Sequence, residues 1–318
     1  MKTCLVTGAR GFIGSALCRR LEEIGVRVYR LSRNATGPDT ITADLGRDPI
    51  VSLSNVRPEV VFHLAARVHM MDDGPEAEAE HFRVTVDGTQ HLLKASSDAG
   101  VGAFVFLSSC AVMREGAASE LDETSPPAPT TPYGRAKLRA EELVHAMNDK
   151  GGMRTVSLRP PMVYGPGHKG HLPRMIRMIA RGLFPPLPDY PGKRSLVHVD
   201  DTVSAAILAS EKAEAAGNTY IVAEPRAYSS REIYEIVSRA LGRKPAGWHV
   251  PRAVMSAAGF GGDIGERLTG RTLPFDSTAL SKLSRNAAYS AAKIERELGF
   301  RPAKNFATAA ADLVDPQA

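Results

Sequence analysis

Gly8-Ala9-Arg10-Gly11-Phe12-Ile13-Gly14 decides how this chain is read. The run before it, Thr3-Cys4-Leu5-Val6-Thr7, is short and apolar, as a buried strand would be. After it, Phe12, Ile13, Ala16, Leu17, Leu21 and Ile24 recur at helical spacing until Gly25 stops the pattern. Glycines between a strand and a helix permit a tight turn and a close approach of backbone to a ligand. The helix start then offers free N–H groups and a positive dipole end to phosphates. Gly8, Gly11 and Gly14 therefore predict a dinucleotide pyrophosphate site, with Arg10, Phe12 and Ile13 on the same loop.

Outward from this loop the same alternation continues. Residues 26–31, 60–64, 103–108 and 155–158 read as strands, and 81–99 and 133–150 as helices. Strands alternating with helices predict an α/β fold: a Rossmann-type doubly wound parallel sheet covered on both faces. Beyond Pro160, proline and glycine cluster at 160–173 and 184–192 and the regular alternation stops. Helices are expected at 172–182, 200–214, 229–241 and 291–298, and a strand at 219–222. The expected plan is a dinucleotide-binding domain over 1–165, to which 194–215 returns, and a smaller substrate-binding domain over 166–318.

The second strand ends in Leu31-Ser32-Arg33-Asn34, without the carboxylate that would bond the ribose hydroxyls of NAD. Ser32 and Arg33, with Arg10 nearby, suit a 2′-phosphate instead, so NADP is favoured over NAD. The lesser alternative is that both arginines are solvated loop residues. Asp44, followed by Leu45, stands where it can accept a hydrogen bond from an adenine amine.

The catalytic signal is Tyr133-Gly134-Arg135-Ala136-Lys137 at a helix start. Residues at i and i+4 share a helix face, which sets the lysine beside the phenol. A free tyrosine titrates near ~10. A neighbouring ammonium and a positive nicotinamide ring both favour the phenolate, so the expectation is a phenol brought into working range. Ser108-Ser109-Cys110 closes the strand before this helix, at the sheet's carboxyl edge, and Ser109 can steady the same reacting oxygen. Taken singly, the tyrosine–lysine spacing fits surface decoration and the serine pair a strand cap.

In combination these blocks resemble the extended short-chain dehydrogenase/reductase family, in particular its nucleotide-sugar epimerase, dehydratase and ketoreductase group. The likeness includes His63-Leu64-Ala65-Ala66, Val86-Asp87-Gly88-Thr89, Arg159-Pro160, Val163 to Gly167, His198-Val199-Asp200-Asp201 and Glu297-Leu298-Gly299-Phe300. The resemblance implies that Gly8, Gly11 and Gly14 hold the pyrophosphate, that Asp44 and Leu45 contact adenine, and that Leu64, Ala65 and Ala66 line the cofactor. It makes Lys137 the ribose ligand, Tyr133 the proton-transfer residue and Ser109 its hydroxyl partner, and it sets Arg194 on a substrate diphosphate. It also implies a homodimer packed through helices 81–99 and 133–150.

Three features depart from the family pattern: Met113 and Arg114 follow Val112, Thr85 replaces an asparagine, and the second strand lacks its acid. They weaken the case for a 4-epimerase that keeps NAD permanently bound. The favoured expectation is a reductase of a UDP-4-keto-(6-deoxy)-hexose in surface polysaccharide biosynthesis. A UDP-hexose or UDP-N-acetylhexosamine 4-epimerase is the alternative, followed by a non-catalytic dinucleotide-binding regulator and a reductase of a non-sugar carbonyl. A dehydratase would need an acid–base pair where Cys110 and Ala111 stand.

Composition bounds the other classes. A net charge of +5 fits anionic small ligands, and no Lys/Arg stripe interleaved with aromatics points to nucleic acid. Three cysteines without short spacing fit neither a disulfide framework nor a metal site. The start of the chain shows no signal peptide, and no apolar run approaches the ~20 residues of a membrane span, so a cytoplasmic enzyme without membrane insertion is expected.

Overall fold

The structure, a computed structural model, describes residues 1–34, 37–47, 53–67, 75–168, 170–269 and 277–314. The first strand, β1 (Thr3–Thr7), leads through the glycine turn into helix α1 (Phe12–Glu23). Strands β2 (Arg27–Ser32), β3 (Thr40–Thr42) and β4 (Val60–His63) follow. Helix α2 (Pro75–Phe82) then continues through a wide turn, Arg83–Asp87, into α3 (Gly88–Asp98). Next come β5 (Ala103–Leu107), α4 (Pro132–Ala146), β6 (Arg154–Arg159), β7 (Met162–Tyr164) and α5 (His171–Ala180). After them stand β8 (Lys193–His198), α6 (Val199–Glu211), β9 (Asn218–Ile221), β10 (Ala227–Ser229) and α7 (Ser230–Ala240). Helices α8 (Arg252–Thr269), α9 (Ser277–Ser284), α10 (Ala292–Leu298) and α11 (Phe306–Val314) complete the chain.

Seven strands form one sheet in the order β3-β2-β1-β4-β5-β6-β9, every neighbouring pair parallel. This is the expected doubly wound arrangement. The central strands are buried along their length, β4 and β5 at every position, because helices cover both faces. One face is filled by Val6, Leu17, Leu21, Phe62, Val105 and Leu158, with Val203 and Ala206 of α6; the other by Leu5, Val61, Leu92, Phe104 and Phe106, with Ala140 and Val144 of α4.

The order reverses between β1 and β4, which opens a crevice at their carboxyl ends. Strand β8, which opens the stretch 194–215, joins β7 and β10 in a separate three-stranded sheet. Helix α6, which follows it, packs against α1 on the large sheet.

The helix expected at 81–99 starts earlier and carries a π-type turn. Gly88 N–H reaches back to the Arg83 carbonyl, and a Cβ on Gly88 would stand 3.1 Å from Leu45 Cβ. The helix widens where it meets the loop after β3. Helices α8, α9 and α11 and strands β3, β7 and β10 have no counterpart in the expectations from sequence. Their hydrophobic spacing is short or carried by alanine and glycine.

Candidate active site

At the end of β1, Gly8 adopts φ +68°, a left-handed conformation that glycine accepts without cost. A Cβ there would lie 2.9 Å from the Ala65 nitrogen, so the loops after β1 and β4 meet at this point. Gly11 N–H closes the turn on the Gly8 carbonyl at 2.8 Å. A Cβ on Gly14 would sit 2.1 Å from that same carbonyl, which only glycine permits. Gly11 caps α1 without a side-chain hydrogen bond, and no acidic residue occupies the first helical turn. Amide hydrogens and a positive helix end thus face the crevice, a cradle fitted to a diphosphate.

Beneath this cradle runs a chain of buried hydrogen bonds. Leu64 and Ala65 N–H groups donate to Thr7 Oγ1 at 3.2 and 3.0 Å, which occupies both of its lone pairs. The Thr7 proton therefore goes to His63 Nδ1, 2.7 Å away. On the far side Thr89 donates to the Thr85 carbonyl, so His63 Nε2 donates to Thr89 Oγ1 at 3.0 Å. Burial and the nearby Lys137 push the His63 pKa down to about 3, which keeps the ring neutral as this pattern requires.

The other predicted cofactor residues occupy the same edge of the sheet. Ser32 ends β2 and bonds locally with Asn34, while Arg33 and Arg10 are exposed. Asp44 Oδ1 accepts from Gly46 N–H at 3.2 Å, and the Leu45 carbonyl meets His91 Nδ1 at 2.9 Å. Phe12, Ile13, Leu64, Ala65 and Ala66 are half-buried around the turn.

Ser109 follows β5 and caps a short 3-10 turn, accepting from Ala111 N–H at 3.1 Å. Its own proton remains available to donate. Helix α4 is started by Thr131, which accepts from Gly134 N–H at 3.1 Å, with Pro132 in the first turn. A Cβ on Gly134 would lie 2.3 Å from the Ala111 carbonyl, so this glycine lets α4 press against the Ser109 turn. Tyr133 and Ser109 are brought together there, and Ser109's hydrogen bond favours the phenolate.

Lys137, 1% exposed, donates to the Leu107 carbonyl at 2.6 Å and stands 4.5 Å over the Phe106 ring and 6.0 Å from the Tyr133 ring centre. One turn further, Glu141 makes a two-point ion pair with Arg159 at 2.9 and 2.6 Å, both side chains buried. Glu141 is not among the residues expected from sequence, although Tyr133, Lys137 and Glu141 fall at i, i+4 and i+8, a spacing that marks it. Those expectations likewise give no role to Thr7, His63, Thr89 or His81. His81 packs edge-on against Tyr133 with ring centres 6.2 Å apart.

The electrostatics differ from the expectation. Burial raises the Tyr133 phenol to about 12 and lowers the Lys137 ammonium to about 7; Ser109 opposes the first shift and Glu141 the second, without overcoming either. Desolvation penalises both charged forms and outweighs their neighbours, so the chain by itself holds a neutral phenol at neutral pH. Arg194 is on β8 of the smaller sheet, half-buried, bridged to Ala287 and near enough to Tyr289 to draw its phenol down against burial.

The profile of the NAD dependent epimerase/dehydratase family matches residues 4–223, which span the cradle, Ser109 and the tyrosine–lysine helix. The chain belongs to this family. A UDP-glucose 4-epimerase of Vibrio cholerae is 31% identical over 291 residues, covering 86% of this chain and 87% of that protein. Short-chain dehydrogenase/reductase family 42E member 1 of Bos taurus is 30% identical over 332 residues, 94% of this chain and 84% of its own. A 4-hydroxy-2-methyl-3-oxo-4-farnesyl-3,4-dihydroquinoline-1-oxide ketoreductase of Stigmatella aurantiaca is 28% identical over 309 residues, 93% and 90% of the two chains. Among solved structures, MoeE5 in complex with UDP-glucuronic acid and NAD superposes with a TM-score of 0.74 at 27% identity, over 98% of this chain and 97% of its own. The family is one of extended short-chain dehydrogenases/reductases, and this chain is an NAD(P)-dependent enzyme within it.

Proposed function

We propose that this enzyme delivers hydride to C4 of a UDP-linked 4-keto-hexose, with Tyr133 as the proton donor, in surface polysaccharide biosynthesis in the cytoplasm. The observation that carries the reading is Tyr133 beside Ser109, with Lys137 buried one turn away at the sheet's carboxyl edge. The glycine cradle, Leu64 to Ala66 and Asp44-Leu45 would hold NAD(P)H, which supplies the hydride when bound. The carbonyl π electrons move onto oxygen as the C–H bond forms. Ser109 donates a hydrogen bond to that oxygen, Tyr133 transfers its proton to it, and solvent reprotonates the phenolate. A phenol held neutral near pH 7 is the correct starting form for this direction. Lys137 would bond the nicotinamide ribose, and Arg194, with residues 166–318, would receive the nucleotide diphosphate. Ser32 and Arg33, in place of an acid, favour NADP. In this reading two copies pair through α3 and α4.

The similarity to a 4-epimerase supports a second reading, in which Tyr133 first takes the sugar's hydroxyl proton and the hydride later returns to the other face. Dehydration is disfavoured, because the Cys110 thiol is buried and raised well above its ordinary range, and Ala111 carries no acid. Purified protein should be free of dinucleotide and oxidise added NADPH only with a UDP-4-keto-sugar. Protein that carries stoichiometric NAD and interconverts UDP-hexoses without added cofactor would be the epimerase instead. Dinucleotide binding with no turnover of either sugar would leave the regulator.

A further inference from the structure

Helix α8 departs from the usual polarity of a surface helix, which turns its polar side to water. Among its described side chains, residues 252–263, the buried positions are Met255, Gly259 and Gly262, and Met255 packs with Leu187 and Leu280. Around the rest of this stretch Ala253, Val254, Ala257, Ala258 and Phe260 are all exposed, Val254 at 54% and Phe260 at 66%, with Ser256 as the one uncharged polar side chain among them. Two further apolar side chains stand out on the loops beside it, Leu183 at 67% and Trp248 at 63%. These loops are one surface unit: Arg243 bonds the Ala180 carbonyl, Val250 N–H the Pro186 carbonyl at 3.1 Å, and Arg252 the Asp189 carbonyl. Four of the five exposed large apolar side chains among the described residues belong to this unit.

The charges around it are mainly positive. Segments 170–190 and 241–263 carry Arg174, Arg177, Arg181, Arg243, Lys244 and Arg252, all exposed, against two acids, Asp189 and Asp263. Arg174, Arg177 and Arg181 follow one another at i, i+3 and i+7, a single face of α5 and its end. An exposed apolar and aromatic surface bordered by cations is the composition that binds the headgroup region of an anionic bilayer. A second copy fits poorly, since a two-fold contact would bring the same cations together. No helix among the described residues is long and apolar enough to cross a membrane.

We propose that the outer face of α8, with Trp248 and Leu183, docks on an anionic lipid surface and holds the enzyme there peripherally. The test is co-sedimentation of the full chain with vesicles of phosphatidylcholine, with and without phosphatidylglycerol. The chain should pellet with the anionic vesicles at low salt, leave them at high salt, and stay in solution with phosphatidylcholine alone. Trp248→Ser with Phe260→Ser should lower the bound fraction about tenfold or more by removing the inserted apolar area. Arg177→Gln with Arg181→Gln should do the same, at about a fivefold loss per charge. Both pairs should melt like the unsubstituted chain. The proposal fails if the chain ignores anionic vesicles at low salt, or if both pairs bind undiminished. It also fails if the α8 pair instead dissolves a dimer present without lipid, which would make the face a self-contact.

Discussion

The carboxyl edge of the large sheet and the outer side of α8 treat burial in opposite ways. At the edge, polar groups are taken inside and given partners: Thr7, His63 and Thr89 in a chain, Lys137 on a carbonyl, Glu141 on Arg159. On the described part of α8, apolar groups such as Val254 and Phe260 are left exposed. A buried hydrogen-bond network fixes atoms to within tenths of an ångström, which proton and hydride transfer need. An exposed apolar face fixes nothing and suits contact with a soft, variable surface. Substitutions should therefore be costly in the first region and nearly silent for folding in the second.

The largest effect is expected at the Glu141–Arg159 pair. Arg159→Met strands a buried carboxylate and should lower unfolding free energy by about 3–5 kcal/mol, read by denaturant titration. Replacing both residues with apolar ones should restore much of that loss. Next, Tyr133→Phe should slow turnover at least ~100-fold while cofactor affinity, from fluorescence titration, changes little. Near-normal turnover would remove Tyr133 from the chemistry. Smaller again, Thr7→Val leaves His63 Nδ1 and two amide hydrogens without their partner, and should cost ~1–3 kcal/mol of stability together with cofactor affinity. A variant that loses neither would show that the chain of hydrogen bonds does not shape the cradle.

The pH dependence follows from Lys137. Its pKa of about 7 lies below that of a free lysine, so between roughly pH 7 and ~10.4 the unfolded chain binds the extra proton. The cost of burying the Lys137 ammonium is thus present in full below about pH 7 and is relieved as pH rises across that window, and Lys137→Met should flatten this part of the profile. At the bottom of the scale, Trp248→Ser should move stability by no more than about 0.5 kcal/mol. A larger loss would mean that the α8 face is packed against protein, and the contrast would break.

The same contrast marks what the sequence disclosed. Strand–glycine–helix order and the Tyr133/Lys137 spacing are local patterns, so the doubly wound sheet, the glycine turn and the pairing of Ser109 with Tyr133 are legible in the sequence. What escaped depends on tertiary burial. Tyr133 was expected to be acidified by Lys137, yet desolvation dominates both groups, and no spacing rule measures desolvation. The partners of His63 are 56 and 26 residues away, beyond any local pattern. Helix α8 is not marked by a period over its described residues, where the buried side chains are Met255 and two glycines.

The central claim concerns the proton on Tyr133, and its ultraviolet titration tests it most directly. The phenolate difference spectrum between the unsubstituted chain and Tyr133→Phe, recorded with and without oxidised cofactor, isolates this one tyrosine. The account predicts no Tyr133 phenolate up to about pH 10 in the chain alone, and phenolate at clearly lower pH once a positive nicotinamide ring lies beside it. A titration that is the same in both conditions would contradict it.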